Sequence, residues 1–202
     1  MPNKPPKAKP VIHIFHSGKK AEPIYFGDFG EFLARSDAQV RVKNYPFRGN
    51  KNGAPWQVIE RAVKEKNKIF EDDCDQIWCA FDLDDYWQQD KNKFKKSLEV
   101  AEKNNIKIAY SNECFELWFL LHFNLVESAI SRADYNKKLK KFFKNLNFDY
   151  AKNSDEIFSH LLDFQKKAIQ NAKKIYTPKQ PSKNPSTSVF KLVEELNKFL
   201  PF

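Results

Sequence analysis

The chain has 202 residues, a formal net charge of +9, 41% hydrophobic residues and 15% aromatic ones, 19 of them Phe. That length predicts one domain with room for an appendage, and so much apolar material excludes global disorder. The longest apolar run, around Leu117–Phe123, is too short to span a bilayer, and no signal-type apolar stretch follows the opening MPNKPPKAKP, so a soluble, cytoplasmic protein without membrane contact is expected.

Residues 1–10 are rich in Pro and Lys and predict a flexible basic arm. Val11–Phe15 is β-branched and apolar and ends at Ser17-Gly18, a buried strand followed by a turn. Glu22 to Arg35 predicts a helix that contributes Ile24, Phe26, Phe29, Phe32 and Leu33 to a core. Val40 and Val42 alternate with Arg41 and Lys43 in a second strand. Arg48–Ala54 is a loop, and Pro55 suits the first turn of a helix running to about Phe70, with Val58, Ile59, Ala62 and Val63 inward. Asp75–Asp82 holds the continuous apolar run Ile77–Phe81, the pattern of a strand covered on both faces. A helix over Lys91–Asn104, a fourth strand at Ile106–Tyr110 and a buried helix over Cys114–Phe123 follow. This alternation over residues 11–124 predicts an α/β domain with a four-stranded, mainly parallel sheet flanked by helices.

Residues 125–202 read as a C-terminal helical layer packed on that core. Leu139, Phe142, Phe143 and Leu146 form one apolar stripe, and a second helix is predicted over Asp155–Ala172. Thr177–Ser186 is a loop rich in Pro and Lys. Asn184-Pro185 has the form of an N-cap followed by Pro at the first helical position. The last helix places Val189, Leu192, Val193, Leu196 and Leu200 on one face. There is no internal repeat. The cysteines Cys74, Cys79 and Cys114 lack metal-ligand spacing and read as reduced thiols.

Charge is unevenly divided. Residues 1–124 carry 20 Lys+Arg and 18 Asp+Glu, whereas residues 125–202 carry 15 and 8. Gln165–Lys191 alone has seven Lys and no acid. Codon bias would spread lysine evenly, so the asymmetry points to a nucleic-acid partner, RNA or DNA, at the helical half.

In a parallel α/β sheet, ligands gather outside the carboxyl ends of the strands. Four features meet there: Ser17 to Glu22, the loop around Arg48, Asp82-Leu83-Asp84-Asp85, and Ser111 to Glu116. Asp82 and Asp84 alternate at a strand end, which aims two carboxylates into one pocket and suits Mg²⁺ or Mn²⁺. The plainer reading is an acidic turn that caps the helix starting near Asp90. Glu116 lies inside the apolar stretch Cys114–Leu121 and needs a metal, a basic partner or hydrogen-bond donors if buried. His122 reads as a hydrogen-bonded core histidine; His16, just after the first strand, suits either a site or the core. No GxSxG, GxGxxG or P-loop is present, which argues against those enzyme classes.

Together these residues resemble the RloB-like proteins, a prokaryotic family with a Toprim-type domain associated with restriction and phage-defence loci. Ser17-Gly18-Lys19-Lys20-Ala21-Glu22-Pro23-Ile24-Tyr25-Phe26 is similar to the family's EGxxTExxYF, and Phe81-Asp82-Leu83-Asp84-Asp85 to its FDxDD. The run from Ser111 to Phe123 is similar to SNPxFExWLLLHF, and Asn184-Pro185-Ser186-Thr187 to NPST. The resemblance covers about residues 11–198. It implies a Toprim-like sheet and Mg²⁺-dependent phosphoryl transfer on nucleic acid, with Asp82, Asp84 and Glu22 at the metal and Glu116 a further acidic member. Lys19, Lys20, Arg48, Asn112 and Asn184 are the expected phosphate contacts. Ser17 stands where the family carries glutamate, and Glu113 where it carries proline. The first departure leaves two readings: an active nuclease in which Glu22 takes over, or an inactive subunit that binds nucleic acid or a partner such as an ATPase or a restriction protein. A phosphoesterase acting on small phosphorylated molecules is a third reading, and a homo-oligomer is compatible with any of them.

Overall fold

The computed structural model describes residues 9–49, 53–83, 86–151, 154, 156–178, 180 and 182–201. Most of the expected basic arm, the middle of the Arg48–Ala54 loop, and Asp84 and Asp85 therefore lie outside the described residues.

The first half alternates as the sequence predicts: β1 (Val11–His16), α1 (Ala21–Arg35), β2 (Arg41–Tyr45), α2 (Pro55–Ile69), β3 (Gln76–Asp82), α3 (Tyr86–Gln89), α4 (Lys91–Lys103), β4 (Ile106–Asn112) and α5 (Glu116–Leu121). The second half supplies α6 (Arg132–Lys144), α7 (Ile157–Leu161), a 3₁₀ turn at Leu162–Phe164, α8 (Gln165–Ile175), β5 (Ser186–Thr187) and α9 (Val189–Asn197). The sheet order is β2-β1-β3-β4-β5. The first three pairings are parallel and only β5 runs antiparallel, against Ser111 and Asn112 of β4.

Strand alternation sorts the core into two layers. Ile12, Ile14, Trp78 and Ala80 face α1, α5 and the C-terminal helices. Phe15, Ile77, Cys79 and Phe81 face the side closed by α2 and α4. Burying apolar residues on both faces is what a parallel sheet requires. The helical layer is stitched to α1 by aromatic stacking, with Phe158 of α7 4.3 Å from the ring of Phe29. Among the described residues no helix is long and apolar enough to cross a membrane.

Three sequence expectations are corrected. The sheet has five strands rather than four, because β5 is two residues long and too short to show a period. Asn184-Pro185 does not open a helix: Pro185 leads into β5, and α9 begins at Val189. The helix expected over residues 155–172 is broken, because its two parts serve different neighbours. α7 packs on α1 while α8 packs on α5 and α9, and the axis turns between them at Leu162–Phe164. The cap of α4 is Asp90 itself, which accepts from the Lys93 amide at 2.9 Å.

Two core histidines have a thermodynamic consequence. Burial pushes both His16 and His122 down from 6.5 to about 4. Both stay neutral in the fold while the unfolded chain takes up protons below about pH 6.5, so stability is fully present above that pH and is lost as pH falls toward 4. Urea denaturation midpoints are therefore expected to fall between pH 7 and pH 5. His122→Gln should flatten that slope; an unchanged slope would show that these side chains do not carry it.

Candidate functional site at the carboxyl edge of the sheet

The chain passes from β1 to β2 on one side and then crosses to β3 on the other, so the order of the sheet reverses between β1 and β3. In open α/β sheets a crevice for ligands forms at that switch point, outside the carboxyl ends of the strands. Ser17 closes it. Its amide donates to the Ala80 carbonyl at 2.9 Å, and its own carbonyl accepts from the Gly53 amide at 3.0 Å. Its hydroxyl accepts from the Asp82 amide at 3.2 Å and makes a long contact, 3.4 Å, to Glu22 Oε1. One hydroxyl thus joins the residue that ends β3 to the acid in the first turn of α1.

Glu22 and Asp82 are both buried. The approach of Glu22 uses the space at Gly18, where a Cβ would meet the Glu22 carboxylate oxygens. Glycine lets the carboxylate fold back over the turn that precedes its own helix.

A second group of charges adjoins Asp82. Arg132, at the start of α6, places its Nη2 3.9 Å from Asp82 Oδ2 and its Nε 3.2 Å from Glu113 Oε1. Cys114 is buried among these residues. Burial, and then the neighbouring Glu116 and Asp82 carboxylates, push its thiol far above the usual range, while Arg132 opposes them. A thiol held protonated in this way is no nucleophile. Glu116 opens α5 and is buried close to the Cys114 side chain. Burial raises the phenols of Tyr135 and Tyr150 well above their ordinary range, and the charge of Glu116 adds to the shift in both.

The edge therefore gathers Glu22, Asp82 and Glu116, three of the four expected acids; Asp84 lies outside the described residues. Lys19 and Lys20 stand exposed on the turn before α1, and Arg48 stands exposed on the loop after β2, close enough to Arg61 to disfavour a second positive charge there. Asn112 is buried, and its Nδ2 donates to the Lys183 carbonyl at 3.0 Å, which ties the end of β4 to the loop before β5. Asn184 is half-buried, and its Oδ1 has no hydrogen-bond partner among the described residues. His16 is held by Asn44 Oδ1 at 2.7 Å and His122 by the Trp118 carbonyl at 2.9 Å. For His122 this is the core role read from the sequence.

The segment Ser186-Thr187-Ser188 seals the neighbouring edge of β4. Thr187 Oγ1 lies 2.8 Å from the Tyr110 carbonyl and 3.0 Å from Ser111 Oγ, and the Tyr110 amide donates to Ser188 Oγ at 3.0 Å. These hydroxyls supply partners that a longer strand would have supplied through its backbone.

Among the described residues no group of three or more His, Cys, Asp and Glu is arranged to hold a metal ion. Glu22 and Asp82 are nevertheless hard oxygen donors at one edge of the sheet, where Ser17 contacts the Glu22 carboxylate and the backbone amide of Asp82. Mg²⁺ characteristically takes only one or two protein carboxylates and fills its shell with water and phosphate. The pair fits an ion of that kind.

A family model described as RloB-like protein matches residues 12–196, nearly the whole chain. The chain belongs to the RloB-like family. No curated protein and no solved structure matches it. In this RloB-like chain the site residue that sequence reasoning missed is Arg132. A signal was present: it is the sole arginine of residues 125–202, where every other basic residue is lysine. Arginine is favoured over lysine where planar, forked recognition of an oxyanion is needed.

Gly18→Ala is expected to drive the flexible end of Glu22 from its seat, with a loss of stability of no more than about 1 kcal/mol in thermal denaturation. The same change made on Glu22→Ala should cost much less. Equal costs in both backgrounds would show that the contact with Glu22 is not what requires glycine.

Proposed function

We propose that this RloB-like protein is a metal-dependent nuclease of the Toprim type, acting on RNA or DNA in prokaryotic anti-phage defence. The observation that carries the reading is that the Ser17 hydroxyl, at the switch point between β1 and β3, contacts the Glu22 carboxylate and receives the backbone amide of Asp82. Asp82 and Glu22, with Asp84, would hold Mg²⁺ or Mn²⁺. Such an ion, when bound, polarises a phosphate oxygen and lowers the pKa of a water ligand. Glu22 is the acid available to accept a proton at this edge, since Ser17 stands in the position of the family's glutamate. Cys114 stays protonated and takes no part as a nucleophile. Lys19, Lys20 and Arg48 are exposed beside the site, and Lys137, Lys138, Lys140 and Lys141 of α6 with Lys166, Lys167, Lys173 and Lys174 of α8 are exposed on the helical layer. These charges suit a phosphate backbone.

A second reading, an inactive Toprim-fold subunit that recruits nucleic acid or a partner ATPase or restriction protein, is favoured by Ser17 itself and by the arginine at Asp82.

Cleavage of tRNA, other RNA, single-stranded DNA and duplex DNA, assayed with Mg²⁺ and with Mn²⁺, separates the two. The nuclease reading expects cleavage of at least one substrate and a loss of about 100-fold or more in Asp82→Ala, as for removal of a principal electrostatic group. Equal rates in both proteins would overturn it. An inactive wild type that gains cleavage in Ser17→Glu would identify a site complete but for one carboxylate and support the second reading.

A further inference from the structure

We propose that Arg132 is the resident counter-ion of Asp82, and that a divalent cation enters the site in exchange for it when a substrate phosphate draws the guanidinium away. This rests on the metal-dependent reading above.

The position of Arg132 is built rather than incidental. Ser131 caps α6 by accepting from the Asp134 amide at 3.2 Å, which fixes the first turn of that helix. Arg132 follows at once and reaches across to the end of β3. Glu113, the residue just beyond β4, engages its Nε at 3.2 Å, and its Nη2 stands 3.9 Å from Asp82 Oδ2. Among the described residues, two carboxylates from two strand ends thus converge on one guanidinium.

The Asp82 side chain is 9% exposed and that of Arg132 is 40% exposed. Charges at such a boundary are only partly screened, so a divalent ion at Asp82 would meet a fixed positive charge across a few ångströms of poorly polarisable surroundings. Metal and Arg132 therefore compete for the same carboxylate. A guanidinium, however, binds phosphate in forked pairs of charge-assisted hydrogen bonds. Its exposure leaves Arg132 reachable from the edge where a nucleic-acid strand would lie. A phosphate that takes the guanidinium removes the competitor from Asp82. Metal and substrate then bind with positive coupling, and the coupling is reciprocal. In the absence of nucleic acid the same contact keeps a positive charge beside Asp82 without metal.

The experiment is a Mn²⁺ titration of the full chain, without nucleic acid, followed by the paramagnetic resonance signal of free Mn²⁺. Arg132→Gln and Arg132→Ala are expected to bind Mn²⁺ roughly tenfold tighter than wild type, a size typical of coupling between sites. Arg132→Lys, which keeps the charge, should stay near the wild-type affinity, and Asp82→Asn should remove the gain from R132Q. Thermal denaturation of each variant establishes that it is folded. Equal affinity in wild type, R132Q and R132A, or weaker binding in the neutral variants, would overturn the proposal and leave the metal reading standing. No Mn²⁺ binding by any of these proteins would overturn the metal reading and this inference with it.

Discussion

The pairing of β1 with β3 places these two parallel strands side by side although β2 and α2 intervene in sequence, and it ends at Ser17, whose backbone continues the ladder to Ala80 while its side chain receives the amide of Asp82. Slipping β3 by one residue along β1 would turn Trp78 and Ala80 to the wrong face and carry Asp82 away from the turn. The two apolar layers therefore hold the register, and the register holds the acids. Burial far from the edge sets the geometry of polar atoms at it. The absence of a Cβ at Gly18 then settles where the Glu22 carboxylate can lie.

The charge asymmetry acquires a location in the same way. The nearly neutral α/β half carries the acidic edge, and the lysines of α6 and α8 are exposed on helices packed over one face of the sheet. The apolar stripe of each helix is turned inward, with Leu139 and Phe143 of α6 and Ala168 and Ala172 of α8 buried, so the lysines between them lie on the exposed side, where Lys167 reaches the Phe123 carbonyl and Lys173 pairs with Glu194. On the proposed reading, the acidic edge would handle cations and the basic helices would attract a phosphate backbone.

Much of the fold was legible because its signals are local. A continuous apolar run reads as a strand covered on both faces, and Ile77–Phe81 is one. Pro55 at the start of α2 reads as a first helical residue for steric reasons that need no tertiary context. Glu116 could be singled out because it is a charge inside apolar sequence, and burying a charge demands a reason; Asp82 stood out by alternating with Asp84 at a strand end, and Glu22 through the family motif. The readings that failed depended on partners distant in sequence. Asn184-Pro185 has the local form of a helix start, yet the unpaired edge of β4 offers Ser186 and Thr187 a ladder, and that pairing prevails. The helix expected over residues 155–172 is locally continuous, but α1 and α5 attract its two parts in different directions.

The sequence by itself determined the alternation of strands and helices, the inward faces of the helices, the order of the acidic motifs and membership of the RloB-like family. Each is written in neighbouring residues and in a period of two or three-and-a-half. Only the tertiary structure decided that Ser17 would link Glu22 to Asp82, that Asn112 would hold the loop before β5, and that Arg132 would reach the end of β3 from α6. These contacts join segments that share no local signal, and they exist because packing both faces of a parallel sheet brings the strand ends to one edge.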